Sequence, residues 1–121
     1  MAKPGPKSND ELVALLGRLR KASRAQSAPI WADVADRLQG PAQTWAEVNV
    51  SRLARVAPKG ATVIVPGKVL GSGALAHPLT VAAFHFSASA RTKIQAAGGH
   101  PITIGELIKK VPKGSGVKII A

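Results

Sequence analysis

No cysteine occurs in this 121-residue chain. Disulfides, C-x-x-C redox chemistry and thiolate zinc sites are therefore excluded. Tyrosine is absent too, and the aromatics number four: Trp31, Trp45, Phe84 and Phe86. Splayed single-stranded bases are read largely by stacking on such rings, so a module that reads bases in sequence is disfavoured. Acids are the third shortage, 6 Asp and Glu against 17 Lys and Arg. So few carboxylates leave little for general acid–base pairs. Asp10 and Glu11, and Asp33 and Asp36, fall where first-turn and surface helix charges belong. His77, His85 and His100 stand apart, none with a second ligand at helix or turn spacing, so no metal and no catalysis are expected. His85, between Phe84 and Phe86, reads as a strand residue with its ring hydrogen-bonded. No apolar run is long enough to span a bilayer. Residues 1 to 7 lack the apolar stretch that follows the basic residues of a signal peptide. A cytoplasmic protein without membrane contact is expected.

Positive charge is what the chain has in excess, a formal net +11. A protein that basic binds polyanions, nucleic acid first among them. Apolar residues make up 45% of the chain, against wholesale disorder. The length suits one domain that buries roughly two thirds of its unfolded surface.

Lys3 and Lys7, among prolines and a glycine, mark residues 1–8 as an extended basic arm that RNA would order. The remainder, 9–121, reads as a single domain, helical over 9–57 and α/β over 58–121. Ser8 and Glu11 stand at capping-box spacing and predict a helix start. Leu12, Leu15, Leu16 and Leu19 form its core stripe, while Arg18, Arg20, Lys21 and Arg24 make a basic face without an intervening acid. Unmixed sign favours a polyphosphate partner, because a solvated helix usually alternates charges. Pro29 opens a second, short helix ended by Gly40-Pro41, with Trp31 in the core. Asn49 is preferred over Thr44 as the next N-cap, with Val50, Leu53, Ala54 and Ala57 inward and Arg52 and Arg55 outward.

Ala61 to Gly73 is the organising stretch: a β-branched strand over 61–65, a stop at Pro66-Gly67, then a loop carrying Lys68, Gly71 and Gly73. Loop N–H groups beside an ammonium suggest a phosphate site. Leu79 to Phe86 is apolar nearly throughout and predicts a strand buried on both faces, as in parallel sheets. Ser87 caps a helix to Ala97 that carries Arg91 and Lys93. His100 to Ile102 is a short strand or edge, Thr103 to Glu106 a second capping box, and Val117 to Ile120 a last strand. The fold class is α/β: N-terminal helices, then an irregular strand-strand-helix half with a small, mainly parallel sheet.

Gly71 to Ala76 matches a dinucleotide fingerprint by letter, yet His77-Pro78 follows where a helix should begin, and the acid expected about twenty residues on is missing. Gly67-Lys68 is followed by valine, which rules out a G-x-x-x-x-G-K-S/T loop. No nucleotide, cofactor or small-molecule substrate is expected. Cations spread over tail, helices and loops suit a protein embedded in folded RNA. A DNA-compacting protein is the alternative that the charge alone leaves open.

The run Val63 to Gly73, then Leu79 to Ser87 and Lys93-Ile94, resembles the ribosomal protein eighteen-e family of the archaeal and eukaryotic large subunit, related in fold to bacterial ribosomal protein fifteen. The likeness extends from Leu12–Arg24 through Trp31–Ala35 and Ala46–Leu53 to Val117–Ile119, and the short length resembles archaeal members. It implies a non-enzymatic structural constituent of the large ribosomal subunit, cytoplasmic, in contact with large-subunit ribosomal RNA and neighbouring ribosomal proteins. It also implies that Gly67, Lys68, Gly71 and Gly73 form the family's characteristic loop and that Arg52 belongs to an Asn-x-Ser-Arg segment. The RNA-contacting set is then Lys3, Lys7, Arg18, Arg20, Lys21, Arg24, Arg52, Arg55, Gly67, Lys68, Gly71, Gly73, Arg91 and Lys93. One departure stands out. The stretch after the second helix, basic in family members, is the neutral Gly40–Trp45, which implies either no RNA contact there or stacking by Trp45.

Overall fold

The computed structural model describes residues 5–121, and side chains from Asp10 onward. The proposed contacts of Lys3 and the Lys7 side chain lie outside the described residues. Helix α1 runs over Gly5–Gln26, so residues 5–8 are helical rather than part of the expected extended arm, and the Ser8–Glu11 spacing does not mark the helix start. Helix α2 spans Pro29–Gln39 with Pro29 in its first turn, where a missing N–H costs nothing. A 3-10 turn at Ala42–Thr44 leads into strand β1, Ala46–Asn49, and helix α3, Val50–Val56. Strand β1 was not expected. Its four residues include Glu47 and Asn49, and only pairing with a distant strand makes them extended.

Strand β2 covers Thr62–Leu70 and β3 Thr80–Phe86, followed by helix α4 (Ala88–Ala96), strand β4 (His100–Thr103), helix α5 (Ile104–Lys110) and strand β5 (Val117–Ile119). Of the expected caps, Asn49 stands at the N-cap of α3 but its side chain makes no capping bond, whereas Ser87 and Thr103 cap with theirs. Ser87 Oγ accepts from the Ala90 N–H at 3.1 Å, and Thr103 and Glu106 complete a reciprocal capping box. The strand pairs are parallel, in the order β1-β2-β3-β4. Strand β3 lies along one edge of β2, so β5 and β1 share the other, β5 beside Thr62–Ile64 and β1 beside Gly67–Leu70.

Pro66-Gly67 does not stop β2, contrary to expectation. Val65 pairs with Ala83 and Lys68 with His85, so one extra residue sits on β2. The bulge absorbs the proline, whose missing N–H would break a regular ladder. Gly67 has its own reason: a Cβ there would collide with the backbone carbonyl of Ala46 on β1.

Alternation along the sheet feeds two cores. Val63, Val65, Val69 and Val81 meet Leu53 of α3 and Ile94 of α4 on one face. Ile64 and Ala82 meet Leu15 and Leu19 of α1, Trp31 and Leu38 of α2, and Leu107 of α5 on the other. Helices thus cover both faces, which is why the central strands are apolar nearly throughout. Trp31 is fully buried, as expected, and its indole N–H donates to the Pro112 carbonyl at 2.7 Å.

Candidate nucleic-acid interface

Strands β1, β3 and β4 each run straight into a helix, so the N-termini of α3, α4 and α5 gather at the carboxyl edge of the sheet. The end of β2 and the loop after it arrive at the same edge. Helix N-termini carry partial positive charge, and Arg52, Lys68, Arg91 and Lys93 add full charges on these elements.

The glycine loop proves to be closed from within. The Ser72 N–H donates to Asn49 Oδ1 at 3.1 Å, and the Ser51 N–H to the Ser72 carbonyl at 3.2 Å. Lys93 Nζ donates to the carbonyls of Gly71 at 2.5 Å and Gly73 at 2.6 Å. A Cβ on Gly71 would press on Ser89 and the Ala90 nitrogen at the start of α4, and one on Gly73 on Ser51 at the start of α3. Gly73 also has φ 91°, a conformation that favours glycine. The close approach these glycines permit is therefore between parts of this chain. Lys93, Asn49 and Ser51 hold the loop, roles that sequence spacing does not reveal.

Lys68 is not in that loop. It lies within β2, between Glu47 of β1 and His85 of β3 in register. Half-buried, it borders a hollow of about 490 Å³ shared with Leu12, Gly40, Ala42, Trp45, Phe84 and His85. Among the described residues it has no hydrogen-bonding partner. His85 is exposed and likewise without a partner among them, contrary to the hydrogen-bonded ring expected of it. Trp45 packs edge-on to Phe84, centroids 5.2 Å apart, and its indole N–H faces the Leu38 and Gly40 carbonyls at 3.2 Å each. The neutral 40–45 segment thus uses its aromatic ring to close the end of α2 over the sheet.

The basic face of α1 divides in two. Arg20 pairs with Asp36 of α2 at 3.1 Å and also bonds Gln39. Arg18 donates to the Gly105 carbonyl at 3.3 Å and lies over that glycine, where a Cβ would strike its guanidinium. Lys21 and Arg24 are exposed and have no partner among the described residues. The acid missing from the basic face of α1 is thus supplied by α2, as Asp36, sixteen residues on from Arg20. Arg52 and Arg55 are exposed on α3, and Arg91 stands over the Phe86 ring, 5.2 Å from its centroid. Glu106 titrates below the usual carboxylate range because the Thr103 backbone N–H, then its hydroxyl, hydrogen-bond it, with lesser help from Lys109 and Lys110. Among the described residues no cluster of His, Asp or Glu could hold a metal, and no helix is long and apolar enough to cross a membrane.

The whole chain, residues 1–121, matches the family model described as ribosomal protein 60S L18 and 50S L18e. The large ribosomal subunit protein eL18 of Methanoregula boonei is 48% identical over 120 residues, 99% of each chain. That of Methanopyrus kandleri is 49% identical over 124 residues, covering 98% of this chain and 97% of the relative. The Halobacterium salinarum protein is 47% identical over 114 residues, covering 94% and 97%. On this full-length agreement, the chain belongs to the ribosomal protein L18/L18e family.

Proposed function

We propose that this protein is a structural constituent of the large ribosomal subunit that binds and stabilises folded large-subunit rRNA, beside neighbouring ribosomal proteins and without catalysis. The full-length family match of a chain carrying a net +11 charge is the observation that carries this reading. Lys21, Arg24, Arg52, Arg55, Lys68 and Arg91 are the described cations of the set proposed for phosphate contact that have no acid or hydrogen-bonding partner among the described residues, and they sit on several elements. Dispersed cations suit a protein enclosed by RNA rather than one lying along a duplex. Arginines can grip phosphate oxygens in pairs, whereas Lys68 acts as a point charge. Arg18, Arg20 and Lys93 contribute field and framework while holding carbonyl or carboxylate partners. Gly67, Gly71 and Gly73 act by shaping the edge from which Lys68 and Arg91 reach RNA. Lys3, in the residues before α1, and Lys7, in the first turn of α1, extend the contact.

A sucrose gradient of host lysate at rising salt, probed for this chain, tests the reading. Co-migration with the large subunit through moderate salt is expected. Migration at the top of the gradient, or with DNA, overturns it in favour of a free or DNA-compacting protein.

A further inference from the structure

The hollow beside Lys68 brings together two kinds of surface that the fold leaves unused. Leu12 of α1, Trp45 and Phe84 give it an apolar lining, and Lys68 and His85, in register on adjacent strands, a polar one. Trp45 and Phe84 are half-buried, so each ring keeps part of its surface at the opening. Lys68 is half-buried as well and has no hydrogen-bonding or ionic partner among the described residues. Glu47 stands in register with it on β1 but is exposed and makes no ion pair with it, and among the described residues no acid lines the hollow. An ammonium partly withdrawn from water beside aromatic rings is unfavourable unless an anion meets it. The adjoining hollow, about 330 Å³ around Arg18, differs on both counts: Glu11 lines it, and the guanidinium donates to the Gly105 carbonyl. Phe84 borders both hollows, and of the two only the one at Lys68 is short of an anion.

We propose that this hollow takes one unstacked base of the rRNA, with that nucleotide's phosphate on the Lys68 ammonium. The inference rests on the rRNA-binding reading above and deepens it. At about 490 Å³ the hollow lies within the roughly 300–1,000 Å³ of pockets that enclose single small ligands. Bases splayed from loops and bulges are taken up on aromatic side chains, and such stacking tolerates any base, since each has a π-face. A nucleotide matches both linings at once: a flat ring for Leu12, Trp45 and Phe84, and an anion for Lys68. His85 adds a ring N–H beside the phosphate. One base needs no aromatic-rich strand, so the shortage of aromatics, which disfavours reading bases in sequence, does not oppose it.

Filling the hollow tests this without removing a contact inside the protein. Ala42 is exposed, lines the hollow, and takes part in the local fold through its carbonyl, which accepts from the Trp45 N–H. Ala42→Trp should weaken binding to protein-free large-subunit rRNA of the host about tenfold, measured by filter retention at fixed salt. Its melting temperature should stay within about 4 °C of the parent's. Emission from the unsubstituted protein gives a second reading that does not depend on the variant's fold. Trp31 is fully buried, so rRNA should quench the emission of Trp45, and Trp45→Phe should abolish that change. If Ala42→Trp keeps its fold and binds as tightly as the parent, or if rRNA leaves the Trp45 emission unchanged, the base site is refuted. A Lys68→Ala variant that still loses about one unit of salt slope would then leave the rRNA reading standing. A side chain of a protein neighbour in the hollow would give the same unchanged values in protein-free rRNA, and so also counts against the proposal. If the unsubstituted protein prefers duplex DNA to this rRNA, both readings fall together.

Discussion

The loop at Gly71–Gly73 and the hollow at Lys68 are neighbours in sequence and opposites in construction. At the loop, a lysine brought from α4 is bound to two carbonyls, and the glycines press against the first turns of α3 and α4. At the hollow, a lysine is held on a strand beside Trp45, Phe84 and His85, with no partner among the described residues. One cation completes the protein and the other is left to face outward. The glycine-rich run with its lysine, which reads as one phosphate cradle, is therefore two devices. A bulge at Pro66-Gly67 separates β2 into its two halves and sets Lys68 in register with His85.

Substitutions can break this contrast. The largest effect is expected at the junction. Gly67→Ala drives a methyl into the Ala46 carbonyl, where backbone on both strands must move, and should cost about 3 kcal/mol in urea or thermal unfolding. A cost near zero would mean that β1 is free to shift away from β2. Next comes Lys93→Ala, which strips two charge-assisted hydrogen bonds from a partly exposed site. A loss of about 2 kcal/mol is expected, together with faster amide exchange at Ser72. Lys68→Ala should do the reverse: stability within about 0.5 kcal/mol of the parent, but a salt slope of rRNA binding lower by about one unit. Equal stability losses for the two lysine variants would abolish the distinction between them.

The smallest effect concerns the third helix start at this edge, α5, where Thr103 and Glu106 cap each other reciprocally. Glu106 has its folded-state pKa lowered by Thr103. A depressed carboxylate contributes stability above its unfolded pKa and loses it as pH falls through the folded one. The Glu106→Gln variant should therefore match the parent more closely in acid than at neutral pH, as acid titrations of melting temperature would register. A gap that widens in acid would reverse the assignment.

Much of the fold was legible because its signals are local. The β-branched Thr62–Val65 and apolar Leu79–Phe86 stretches announce buried strands. Ser87 and Thr103 announce helix starts, since a capping hydroxyl needs only the N–H three residues ahead. Strand β1 was not legible, because Glu47 and Asn49 carry no strand preference and become extended only beside Lys68 and Leu70. The candidate surface was half legible. Charge excess points to a polyanion wherever the cations fall, but Arg20 reads as free until α2 brings Asp36 beside it.

By itself, then, the sequence determined a basic, cysteine-free α/β domain and its family, because composition and short-range patterns survive without a third dimension. Tertiary structure alone decided which cations remain available. A lysine or arginine is silent about its partner, and the partners here arrive from elements 16 to 87 residues away.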